Sequence, residues 1–148
     1  PIIDIEDVSM MQMVLDNGVF AAYQQCHYTP DYWRNYTIIG TEGRIENFGD
    51  TQPNAVVKLW NTRVNDYSPD ANETYPVGAT SADHGGADGR IVAEFVRYAR
   101  EGGSVMTSPL AARYSVAAGC SATESLRNGG APRVVAAVDG AVAEYFAP

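Results

Sequence analysis

The sequence predicts an α+β fold, an open and predominantly antiparallel β-sheet with helices packed on one face, and three observations carry that expectation. The first half of the 148 residues consists of short β-branched and aromatic runs punctuated by Asn-Gly and Glu-Gly turns. The second half consists of runs with helical apolar spacing that start at Asp or Pro and stop at glycine pairs. Strands first and helices after, without alternation, favours segregated layers over a parallel sheet. With 45% hydrophobic residues, a chain of this length can bury one core, so residues 1–148 are expected to form one domain.

The elements follow in order. "MMQMVLD-NG-VFAAYQQCH" reads as two strands, about Met11 to Asp16 and Val19 to His27, around Asn17-Gly18, a pair that tolerates positive φ and suits a two-residue hairpin turn. "RNYTIIGT-EG-RIENFG" repeats the design with Gly43 as the flexible turn position, and "AVVKLWNTR" adds a fifth strand from Ala55 to Arg63. Residues 64–86 have little apolar periodicity and many turn formers, so a long loop is expected there, of the kind that more often has a function than not. In "GADGRIVAEFVRYAREGG", Ile91, Val92, Phe95, Val96 and Ala99 form one helical stripe; Asp88 is the expected N-cap, with Asp83 or Gly86 as alternatives, and Gly102 suits the left-handed position after the last turn. A second helix is expected over Pro109–Asn128, capped by Ser108, with Pro109 at the first position and Gly129 and Gly130 after its end. Its middle, "SVAAGCSA", is nearly all small side chains that let backbones approach closely. A last strand is expected near Arg133 to Val138.

The first hairpin is apolar on both sides: Met11, Met13 and Leu15 on one, Met10 and Val14 on the other, followed by the unbroken run Val19 to Tyr23. A sheet with one solvated face alternates more cleanly. The second apolar side is expected to meet a partner, most simply another copy of the chain, or else a thicker core in a larger parent.

Charge excludes one class of partner. Eighteen acidic against ten basic residues leave a net charge of -8, which repels phosphate backbones, so nucleic acid is not expected. No apolar run approaches the roughly 20 residues of a membrane-spanning helix, and no membrane association is expected. Cys26 and Cys120 stand far apart without metal-ligand spacing, which predicts small buried thiols in a reducing, cytoplasmic setting and no metal site. Pro1 stands where an initiator methionine would, ahead of the short acidic lead "PIIDIEDVS", so a preceding domain is expected.

No familiar catalytic or nucleotide motif is present: no GxGxxG after a strand, no GxxxxGK[ST], HExxH, GxSxG or EF-hand loop. "HGGADG" opens a helix and resembles an anion-binding start, but it follows a polar loop and carries Asp88, with Asp83 directly before it. His84, beside Asp83 and two glycines before the helix, is a candidate to donate or accept a substrate hydrogen bond, or a loop histidine that merely caps or packs. His27, at a strand end, reads as structural. Tyr28, Asp31, Tyr32, Trp33 and Arg34 form a polar-aromatic connection between strands; rings against C–H faces and charged groups on hydroxyls are what grip polyols, although aromatics also pin ordinary loops. Asp66, Asp70 and Glu73 are too irregularly spaced for calcium and read as a solvated acidic loop.

With these segments in view, the chain resembles the C-terminal domain of the Gfo/Idh/MocA oxidoreductases, which use NAD or NADP on sugars, inositols and related polyols. The resemblance rests on "DYWRNYTIIGTEGRIENFGD" (31–50), "VVKLWN" (56–61), "HGGAD" (84–88) leading into "IVAEFVRYAREG", and "TSPLAARYSVAAGCSATESLRNGG" (107–130), in family order over nearly the whole chain. It implies a two-domain parent in which a Rossmann domain binds NAD or NADP, while this domain binds no cofactor, faces the substrate and assembles a homo-oligomer through its open sheet face. The Gly-rich nucleotide loop, the Glu-Lys-Pro segment with its lysine and the Asp/His pair of the joining helix have no match here. No catalytic residue is therefore assigned, and the segment alone is expected to be inactive. His84, Asp31, Tyr32, Trp33 and Arg34 are carried over as substrate-binding candidates. Two rivals stand beside this reading: a stand-alone sugar-binding module without turnover, and a structural dimerisation domain. The family also includes cofactor-dependent glycosidases.

Overall fold

The computed structural model describes residues 5–50, 52–78 and 83–146. It is an α+β protein with antiparallel sheets, and its chain divides into two compact units, one running Tyr28–Val92 and the other holding the residues up to His27 and from Ala93 onward.

In the unit that contains both ends of the chain, β1 (Val8–Val14) pairs antiparallel with β2 (Phe20–Cys26), from Val8↔Cys26 to Val14↔Phe20. The turn differs from the two-residue form. Leu15 N–H donates to the Val19 carbonyl and Gly18 N–H to the Leu15 carbonyl, both at 2.9 Å, which leaves a three-residue loop. Gly18 alone takes positive φ there, at 82°, the geometry of a turn followed by a one-residue bulge. The Asn17 side chain accepts from Val19 N–H at 3.1 Å, so asparagine serves as a local acceptor and not as a left-handed residue. Strict alternation along β1 leaves Val8, Met10 and Val14 on an exposed face, with Met10 73% and Phe20, opposite Val14, 83% exposed.

Helix α1 (Ala87–Glu101) starts in the other unit and ends in this one, where Gly102 turns left-handed (φ 67°) and returns its N–H to the Tyr98 carbonyl at 2.9 Å. Glu94 and Arg97 lock the following connection. The guanidinium holds the Glu94 carboxylate through two 2.8 Å bonds and donates to the carbonyls of Gly102 and Ser104, while Glu94 accepts from Met106 N–H at 3.0 Å. Helix α2 (Pro109–Arg127) begins with Pro109 after an extended Ser108, but the Ser108 hydroxyl makes no capping bond; only its carbonyl is used, by Ala112 N–H. Gly129 and Gly130 follow its end with φ of 70° and 79°, and Gly130 N–H closes on the Ser125 carbonyl at 2.8 Å.

The strand expected at Arg133–Val138 does not form. This segment has no ladder partner among the described strands, and two of its backbone groups go to helix side chains instead: Arg113 donates to the Ala136 carbonyl and Val138 N–H donates to the Tyr114 hydroxyl at 3.3 Å. A short helix, α3 (Gly140–Tyr145), follows instead, capped by Asp139, whose carboxylate accepts from Ala141 N–H at 3.0 Å. The cysteines also depart from expectation: Cys26 is half-buried and Cys120 exposed, both free.

The Tyr28–Val92 unit is a four-stranded antiparallel sheet in the order β3 (Thr37–Gly40), β4 (Gly43–Phe48), β5 (Val56–Trp60), β6 (Glu73–Pro76). Strand β6 lies within the stretch expected to be all loop; "ETYP" is short and follows turn formers, so periodicity alone does not reveal it. It is secured at one end by Val77 N–H donating to the Ala55 carbonyl at 2.8 Å. Ala55, 1% exposed, is the fully buried apolar residue of the described chain. The β5–β6 connection is closed at its base by Asn72, whose Oδ1 accepts from Asn61 and Thr62 N–H at 2.9 and 3.2 Å and whose Nδ2 donates to the Thr62 hydroxyl. Gly43 is needed for space and not for turn flexibility. A Cβ there would stand 2.3 Å from the Trp60 carbonyl oxygen.

Candidate functional site

Register places Arg44, Glu46 and Phe48 of β4 opposite Trp60, Lys58 and Val56 of β5, so these six side chains share one sheet face. The face is a lattice of cations on rings. The Arg44 guanidinium lies 4.0 Å from the Trp60 ring centroid, the Lys58 ammonium 4.9 Å from that of Phe48, and the Phe48 and Trp60 centroids are 6.2 Å apart.

Two hollows open here. One, of about 450 Å³, is lined by Asp31, Tyr32, Trp33, Phe48, Gly49, Gln52, Asn54 and Val56. The "YTPDYWR" connection and residues 48–50 and 52–54 after β4 build it together, joined by Asn47. The Asn47 carboxamide accepts from Tyr36 N–H at 2.6 Å and donates to the carbonyls of Arg34 and Gly49 at 2.9 and 2.8 Å. Gly49 takes φ 91° against Ala55, and a side chain there would meet the Ala55 Cβ at 2.9 Å. Gln52 uses its oxygen to accept from Asp50 N–H at 2.8 Å, which leaves its amide hydrogens as donors at the rim.

Asp31, Tyr32 and Trp33 are thus brought together at one hollow. Arg34 is next to it and engaged elsewhere, 3.5 Å from the Asp50 carboxylate and 4.9 Å over the Tyr32 ring, where it braces the wall. Phe48, Gln52 and Asn54 are the lining residues that sequence reading passed over; the amide-bearing turn between two predicted strands was the available signal. The second hollow, about 820 Å³, lies between the β3–β4 turn and the end of β5, with Arg44, Trp60 and Arg63 among its lining residues.

His84 is not among the residues lining either hollow. It lies in the 3-10 turn Asp83–Gly86 ahead of α1, with φ 48°, the one non-glycine residue with positive φ among the described residues. Its Nδ1 is 2.9 Å from Asp88 Oδ2. Asp88 lies inside the helix, so the expected N-cap role passes to the turn that precedes Ala87. His27 pairs with the Gln25 side chain two residues before it. Glu73 accepts from the Tyr75 hydroxyl, and that bond is the main reason the phenol is pushed above its ordinary range.

These features define the class first: an α+β domain built on antiparallel sheets, one of which presents a polar-aromatic face. The chain belongs to the Gfo/Idh/MocA group described as "Oxidoreductase family, C-terminal alpha/beta domain", whose family model matches residues 3–135. No curated protein and no solved structure matches the chain. No described helix is long and apolar enough to cross a membrane.

Proposed function

We propose that this chain is the substrate-facing and oligomer-forming domain of an NAD(P)-dependent oxidoreductase acting on a sugar, inositol or related polyol in the cytoplasm. The observation that carries the reading is the family match over residues 3–135, and the hollow at Asp31–Trp33 supports the substrate class. Its rings offer faces for C–H groups, while Asp31, Gln52 and Asn54 offer acceptors and donors for hydroxyls. His84 and Arg34 complete the substrate-binding set, His84 by hydrogen bonding a hydroxyl and Arg34 by bracing Tyr32.

The chain's own residues do not fit a nicotinamide dinucleotide. All described strand pairs are antiparallel, and the strand-to-helix crevice that cradles a pyrophosphate needs parallel strands joined through a helix. In this reading the dinucleotide and the hydride chemistry belong to a preceding domain of the parent. The bare Met10 and Phe20 face of the first hairpin supports self-association.

The test is to read the coding region upstream of Pro1, express the whole frame and follow nicotinamide absorbance with a panel of sugars, inositols and polyols. Reduction of NAD or NADP with a member of the panel is expected. His84→Ala should then lower kcat/KM by about one to two powers of ten, equivalent to about 1.4–2.7 kcal/mol of transition-state stabilisation, with folding intact. A frame without a dinucleotide domain, or one inert toward the whole panel, would overturn the reading in favour of a binding or dimerisation module.

A further inference from the structure

We propose that Asp88 is a positioning residue for His84, fixing its ring as the Nδ1–H tautomer so that Nε2 is a hydrogen-bond acceptor for a substrate hydroxyl and not a donor to a carbonyl. The inference rests on the reading of His84 as a substrate residue and adds to it both the partner and the direction of the hydrogen bond.

An ionised carboxylate only accepts, and an imidazole nitrogen 2.9 Å from it must carry the hydrogen. In the neutral ring the remaining nitrogen, Nε2, is then a lone-pair acceptor. The backbone makes this pairing possible. His84, Gly85 and Gly86 are left-handed in succession, with φ of 48°, 65° and 75°, and this brings the histidine side chain back over the first turn of α1, where Asp88 stands four residues on. Arg90 secures the same turn by donating to the Gly85 carbonyl at 2.9 Å. Left-handed backbone costs a β-carbon residue of order 1–2 kcal/mol, and such outliers persist where surrounding structure holds them. Asp88 stands in the first turn of α1 with its Oδ2 directed at the ring. The imidazole is 79% exposed, so Nε2 is open to a ligand. A substrate carbinol O–H can donate to it; a ketone oxygen cannot.

Two histidines in the whole chain make the test direct. Long-range proton–nitrogen correlation spectra of the full chain, at a pH where the rings are neutral, report which nitrogen of each imidazole bears hydrogen, with His27 as internal reference. The expected spectrum has His84 mainly as the Nδ1–H form. In Asp88→Ala, with helix signal retained by circular dichroism, the ratio of Nδ1–H to Nε2–H should fall roughly tenfold, the scale of one charge-assisted bond, which returns the ring to the Nε2–H majority of a free imidazole. A predominantly Nε2–H His84 in the unaltered chain overturns the inference whether or not any variant folds, and so does an unchanged ratio in a folded Asp88→Ala. Failure of His84→Ala to affect turnover in the parent would sink the substrate reading while leaving these spectra as they are, so the two failures are distinguishable.

Discussion

Replacing Gly43 with alanine should destabilise the chain, while the same change at Gly40, three residues earlier in the same "GTEG" turn, should not. A Cβ on Gly43 would lie 2.3 Å from the Trp60 carbonyl oxygen and 3.2 Å from both the Trp60 carbonyl carbon and the Asn61 Cα, all of them backbone atoms that cannot rotate away. An ordinary carbon–oxygen approach is about 3.3 Å, so β4 and β5 must part by about 1 Å at this end of the ladder. Overpacking of this kind costs about 2 kcal/mol, and the smaller unfolded-state entropy of alanine offsets about 0.5 kcal/mol of it. The net loss of about 1.5 kcal/mol lowers Tm by roughly 5 °C in a chain of this size. A Cβ on Gly40 meets nothing nearer than the Gly43 carbonyl oxygen at 4.0 Å. There only the entropy gain remains, and Tm should rise by roughly 1–3 °C. Differential scanning calorimetry of the two variants beside the parent chain measures both shifts. If the two move Tm by the same amount in the same direction, the close approach of Gly43 to Trp60 is not what requires glycine.

Three further outcomes follow from other contacts. Asn47→Ala removes two hydrogen bonds between the Arg34–Tyr36 segment and the end of β4, and a third to the Gly49 carbonyl; it should cost about 1–3 kcal/mol and speed amide exchange at Tyr36, and unchanged exchange would show that the carboxamide does not hold this wall. The Glu94 carboxyl is held down from 4.5 to about 2, first by the Arg97 side-chain bonds and then by the Met106 amide. Its folded value is depressed, so its contribution to stability is complete above about pH 4.5 and fades as pH falls toward 2; a carbon-detected titration should find the low midpoint, and Arg97→Ala should return it to the usual carboxylate range. Sedimentation at micromolar concentration should find the chain self-associated, with Met10→Glu and Phe20→Glu each shifting it toward monomer; a parent chain that is already monomeric would refute assembly through the hairpin face.

The parts of the fold legible in sequence were those announced by local chemistry. Gly18, Gly102, Gly129 and Gly130 mark where the chain takes positive φ, and Pro109 marks the start of α2, because the conformational cost of other residue types is paid locally. What was not legible depended on contacts distant in sequence. The ladder partner of "ETYP" is β5, and near Val138 the Val138 N–H finds its acceptor, the Tyr114 hydroxyl, 24 residues away, while the Ala136 carbonyl finds its donor, Arg113, 23 residues away. The candidate site divides the same way. Asp31, Tyr32 and Trp33 stood out by composition, whereas Phe48, Gln52 and Asn54 join them only because β4 turns back beside that segment. The His84–Asp88 pair was within reach, since histidine and aspartate lie four apart in the sequence; what could not be read was that His84 itself turns left-handed.

The Asn72 carboxamide has a consequence for how this domain can vary. By gripping Asn61 and Thr62 from across the β5–β6 connection, it makes a single side chain the gate of everything between, and Ser68 is hooked separately by the Trp60 indole N–H at 3.2 Å. Residues 63–67 are left as a span whose two ends are held independently of its contents. Doubling a loop's length costs only about 0.6 kcal/mol, so this is where the chain can be lengthened or shortened without disturbing the pairing of β5 with β6, and where a reporter peptide or affinity handle can be inserted.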